Sequence, residues 1–136
     1  MTIEPKQYIE TEEELLELAK EWQNRLLLRD WVIGFALVSA RELSDINFAG
    51  ESNVQWTNRC GTVSILRKED IPDDMIAKQP MEMTLIHELL HFKFMTFENT
   101  SLEVCYWNEK QHQLLEDMAK ALYMAKYNLT FDWFRR

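Results

Sequence analysis

The stretch MTLIHELLHFKF, Met83 to Phe94, carries two of the three histidines in the 136-residue chain and decides how the rest is read. Apolar residues lead into it, and Pro80 just upstream suits the first position of a helix, where a missing N–H costs nothing. A helix is therefore expected from Pro80 to about Phe97. On such a helix, positions four apart differ by about 40° in azimuth and one turn in rise. His87 and His91 then project side by side, where two imidazoles can chelate one ion. Glu88 follows the first histidine and points beside such an ion rather than onto it, placed to take a proton from an attacking water. The plain alternative is an amphipathic helix whose histidines are packing residues. The full HExxH spacing is more demanding than a bare histidine pair, and it favours the metal.

Zinc suits imidazole ligands, and a catalytic zinc takes three protein ligands while keeping one position open. The one histidine left is His112, in NEKQHQLLEDMAKAL. Leu115, Met118, Ala119, Leu122 and Ala125 recur there at helical spacing, which predicts a helix from about Asn108 to Tyr127. Glu109, His112 and Glu116 share one of its faces. An antiparallel return of this helix would bring that face back against HELLH.

Working outward, TEEELLELAKEWQNRLLL reads as an N-terminal helix. Thr11 caps it while Glu14 reaches back, and Leu15, Leu18, Ala19, Trp22 and Leu26 form its apolar face. It is expected to stop near Asp30. WVIGFALVS, Trp31 to Ser39, is β-branched and aromatic and reads as a strand. Residues 40 to 52 form a second strand or a loop, ending in a turn at Gly50. Two short strands follow, Val54 to Thr57 and Thr62 to Leu66. IPDDMIAKQP reads as a turn with one helical turn after Pro72, and ENTSLEVCYW as a loop or short extended segment. The order predicts an α+β fold: an N-terminal helix, a small, mostly antiparallel sheet of three to four strands, the HExxH helix and a C-terminal helix. No repeat or linker divides the chain, so residues 1–136 are expected to form one domain.

Composition narrows the function. Charged residues make up 28% and hydrophobic residues 46%, an ordinary globular balance. The net charge of −8 repels a phosphate backbone and argues against nucleic-acid binding. No apolar run is long enough to span a bilayer. The polar, acidic start does not resemble a signal peptide, and Cys60 and Cys105 show no CxxC spacing. A cytoplasmic protein with reduced thiols is expected, which makes the glycosylation pattern at Asn128 accidental. Oligomeric state is not legible.

His87-Glu88-x-x-His91 resembles the signature of the zincin metallopeptidases. In the gluzincin branch the third ligand is the Glu of a Glu-x-x-x-Asp pair about twenty residues on, whose Asp orients a ligand histidine. This chain has His112-x-x-x-Glu116 at that separation. The resemblance thus implies His112 as third zinc ligand and Glu116 as the orienting carboxylate, with Glu116 and then Glu109 as alternative ligands. Three histidines move the site toward the SprT-like and metzincin relatives, although the long metzincin motif is absent. The wider layout resembles small phage-type and SprT-like minimal zincins. It implies a zinc peptidase acting on peptides or proteins, with Glu88 as general base and later proton donor to the leaving amine. The substrate would lie extended along an edge strand, for which Thr62 to Leu66 is the candidate. Tyr106, Tyr123 or an arginine is a candidate to help the oxyanion, although each tyrosine reads more simply as half-buried packing. The FDWF tail would cover the cleft or, more simply, dock as a terminus. The rival readings are a catalytically inactive zinc-binding regulatory or protein-interaction module of the same fold, and a metal-free α+β protein with packed histidines.

Overall fold

Thr11 starts the first helix as the sequence predicts. In the computed structural model, which describes residues 4–45, 48–72, 79–94 and 102–135, its hydroxyl accepts the Glu14 N–H at 3.1 Å. The Glu14 carboxylate reaches back to the Glu10 N–H. This helix, α1, spans Glu12–Arg25 and buries Leu15, Ala19 and Trp22. It ends earlier than the expected Asp30. Leu27 adopts a left-handed backbone (φ 59°), and the Leu28 N–H returns to the Gln23 carbonyl at 2.8 Å. That closure satisfies a carbonyl which a continuing helix would have used.

The sheet has three strands: β1 (Val32–Val38), β2 (Gly50–Gln55) and β3 (Cys60–Leu66). Their spatial order is β1-β3-β2. β2 and β3 form an antiparallel hairpin through the turn at Trp56 to Arg59, with Arg59 at φ 51°. β1 pairs with β3 in parallel, Val32 opposite Cys60. The sheet is therefore mixed, not mostly antiparallel. The connection from β1 to β2 carries the chain past β3's place, so the third strand inserts between the first two. As a result Thr62 to Leu66 belongs to the central strand and not to an edge, and the outer strands are β1 and β2. Gly50, read as a turn, is the first residue of β2, and Thr57 lies in the turn rather than in a strand.

Helix α2, Met81–Leu90, carries HELLH and is buried along nearly its whole length. It packs against α1, β2, β3 and α3, the last spanning Leu102–Tyr127. α2 is shorter than expected: residues 91 to 94 form turns, and the predicted continuation to Phe97 lies outside the described residues. So does the helical turn predicted after Pro72. α3 begins at Leu102, well before Asn108. Tyr106 and Trp107 break the apolar periodicity because both stand on the solvent side of the helix. α3 ends at Asn128, which is left-handed (φ 54°), with the Leu129 N–H bonded to the Met124 carbonyl at 2.9 Å.

One core joins these elements: Leu15 and Trp22 from α1, Val63 and Ile65 from β3, Leu85, Ile86 and Leu89 from α2, and Leu115 and Tyr123 from α3. Phe92, just beyond α2, lies edge-on to Trp31 at 5.2 Å and covers Gly61, where a Cβ would meet its ring at 2.8 Å. The fold is thus α+β, with HELLH on its most enclosed helix. Among the described residues, no helix is long and apolar enough to cross a membrane.

Candidate metal centre

His91 lies one residue past the end of α2 but keeps helical dihedrals (φ −61°, ψ −21°), so the one-turn relation to His87 survives the helix end. The two rings sit 5.0 Å apart. His112 approaches from α3, 4.6 Å from His87 and 6.3 Å from His91 between ring centroids. The three offer one nitrogen each, all within 4.8 Å of one another. Tetrahedral zinc with Zn–N bonds of about 2.0–2.1 Å needs nitrogens about 3.4 Å apart, so closure asks for side-chain movements on the order of 1 Å.

The structure brings Glu116 to the same place, against His87 rather than among the three nitrogens. Its Oε1 lies 2.9 Å from His87 Nδ1, while its Oε2 accepts from the Gln79 side-chain amide at 3.2 Å. The Nδ1 contact is close but misaligned: this buried nitrogen has no hydrogen bond of good geometry. A carboxylate on one ring nitrogen leaves the other nitrogen for a metal, the usual arrangement around ligand histidines. Glu109 is exposed on α3 and stands outside the group of three.

Protonation follows the same geometry. Burial, helped by the neighbouring imidazoles of His87 and His112, depresses His91 to about 4. Burial and His87 also lower His112. Both rings are therefore neutral near pH 7 and hold a free lone pair, the form that binds metal. The His87 contact, reinforced by Gln79, holds Glu116 down at about 2, so it stays anionic. Three nitrogen donors, two of them kept neutral, fit a borderline-soft divalent ion such as zinc.

Glu88 is 7% exposed, and burial raises it to about 7. The His87 ring and a hydrogen bond from the Ser52 hydroxyl oppose that rise. Ser52 is on β2, whose first residue, Gly50, presses directly on α2: a Cβ there would lie 3.2 Å from Glu88 Cγ. The edge strand thus runs beside the candidate base.

The tyrosines named from sequence lie elsewhere. Tyr106 is exposed, edge-on to Trp107 with Lys110 over its ring. Tyr123 is fully buried among Tyr127, Trp133 and Phe134. The tail, Phe131–Arg135, docks there, with Lys120 4.5 Å from the Phe134 ring centroid. It rests on α3 through Lys120 and Tyr123. Cys60 is a free thiol 3.4 Å from Gln55 Oε1, and the Cys105 side chain lies outside the described part.

Three residues escaped the sequence reading. Ser52 and Gln79 act across the fold, and nothing in their local pattern announces it. Glu82 is 4% exposed and ties α1, α2 and α3 together. It accepts from Trp22 Nε1 at 2.7 Å, from Lys126 Nζ at 2.6 Å and from the Tyr127 hydroxyl. The one available signal was Gly50, since an isolated glycine in a strand marks a close approach.

Compared with protein-family models, curated proteins and solved structures, the chain gives no significant match.

Proposed function

We propose that this protein is a zinc-dependent metallopeptidase with a zincin-like fold, hydrolysing peptides or unfolded segments of proteins in the cytoplasm. The observation that carries this reading is the meeting of every histidine in the chain at one point, beside a buried glutamate. His87, His91 and His112 would hold the ion, with Glu116 orienting His87.

Zinc bound there would supply Lewis acidity, activating water and polarising the scissile carbonyl. The chain's own residues do the rest. Glu88 accepts the proton of the attacking water and returns it to the leaving amine. Glu116 stays charged and steadies the His87 ring. β2 is an edge of the sheet and flanks Glu88. An extended substrate could add to it as a further strand, its backbone recognised by hydrogen bonds that any sequence can make.

Replacing Glu88 by Gln tests the reading. Zinc content should persist while hydrolysis of a denatured, labelled protein falls by about 10²–10⁴-fold, the range for a lost general acid–base group. Persistence of full activity would exclude Glu88 as the base. Zinc binding without turnover in the wild-type protein would leave a zinc-holding interaction module instead.

A further inference from the structure

Side chains alternate along a strand, so Gly50, Ser52 and Val54 share one face of β2. That face meets α2. A Cβ on Gly50 would lie 2.9 Å from Thr84 Cγ2 and 3.1 Å from the Ser64 carbonyl oxygen, besides its clash with Glu88, so any side chain there would lift the strand from the helix. Two residues on, Ser52 is paired with Val63 of the central strand, whose side chain is buried in the core. The Ser52 hydroxyl, which draws the Glu88 carboxylate back toward its charged form, is therefore delivered by backbone registered against a packed strand. It also has a single side-chain torsion, leaving little freedom to lose.

We infer that Ser52 is a positioning residue for Glu88, its hydroxyl tying down the carboxylate of the general base while Gly50 lets the strand come close enough. This rests on the peptidase reading. Ser52 keeps its own proton throughout and donates only a hydrogen bond. The bond fixes the Glu88 rotamer, so that the carboxylate faces the attacking water and afterwards the amine. A base free to rotate spends less time in that arrangement, and small misplacements at a reacting centre cost up to about 10²-fold in rate.

The test uses zinc-loaded protein and a denatured, fluorescently labelled protein as substrate. Ser52→Val and Ser52→Thr fill nearly the same volume, and only threonine retains a hydroxyl. Ser52→Val should lower kcat by about 10–100-fold with KM and zinc content unchanged, and Ser52→Thr should recover a large part of that loss. Equal kcat in the two variants, or zinc content falling in step with kcat, would overturn the inference. A second measurement needs no turnover. In metal-free protein, Ser52→Ala, Glu88→Ala and their combination form a double-mutant cycle in the denaturation midpoint. Non-additivity supports the Ser52–Glu88 bond, and additivity removes the positioning role alone. Zinc binding without any wild-type turnover removes the peptidase reading and the positioning role together.

Discussion

Helix α2 buries two glutamates within two turns of each other, and their surroundings differ. Around Glu82 the polar groups close on one another: its two oxygens take the Trp22 indole, the Lys126 ammonium and the Tyr127 hydroxyl. Lys126 reaches Glu21 as well, at 3.1 Å. Around Glu88 the chemistry is left open. One hydroxyl meets the carboxylate, burial drives it toward the neutral form, and the adjoining His87 Nδ1 lacks a well-aligned partner. Buried polar groups in folded proteins are normally satisfied. A satisfied one holds helices together, and one left short of partners beside two neutral imidazoles is poised for a ligand or a proton.

The largest effect falls at the closed end. Glu82→Ala leaves the largely buried Lys126 ammonium with Glu21 as its remaining anion and strips the buried Trp22 indole of its acceptor, and removing one partner of a buried pair costs about 3–5 kcal/mol. Chemical denaturation should show that loss, with zinc binding per folded molecule unchanged. A change below about 1 kcal/mol would mean that Glu82 is not the pin between the three helices.

At the open end the expected effects are on metal rather than on folding. Glu116→Ala should weaken zinc affinity by about 10–100-fold, the usual cost of losing a carboxylate that orients a ligand histidine. Competitive chelator titration reads this directly. His112→Ala, which removes a proposed ligand outright, should weaken it further, and the reverse ranking would make Glu116 the ligand.

A separate effect is in pH. In metal-free protein the folded Glu88 binds its proton more tightly than the unfolded chain does, about 7 against 4.5. Its contribution favours the fold below the unfolded value and is lost as pH rises through about 7. His91 acts oppositely: its depressed value makes folding more favourable above 6.5, an advantage lost as pH falls through about 4. Glu88→Gln removes only the first of these. The variant should gain on the wild type steadily between pH 4.5 and 7 in denaturation midpoints. A constant difference across that window would contradict the raised Glu88.

The readability of the molecule divides along the same line. Elements governed by neighbours in sequence were legible: the Thr11 cap, the first strand and the HELLH face depend on spacings of one to four residues. His112 could be named because so few candidates remained. The sheet order was not legible, since nothing in Val32–Val38 says that Cys60–Leu66 will pair with it in parallel. Glu82 lies in the first turn of α2, and only the return of Lys126 and Tyr127 encloses it. Ser52 and Gln79 gain their roles from contacts across 36 and 37 positions, between Ser52 and Glu88 and between Gln79 and Glu116. Periodicity carries no information at such range.

The central claim is that the open end of α2 is a metal centre, and elemental analysis with zinc titration of the denaturation midpoint tests it most directly. One zinc per chain is predicted, with stabilisation of about 2.7 kcal/mol at a free zinc concentration of 100 times Kd and none in His112→Ala at the same concentration. A wild-type protein that purifies without zinc, and whose midpoint does not move when zinc is added, would contradict the account.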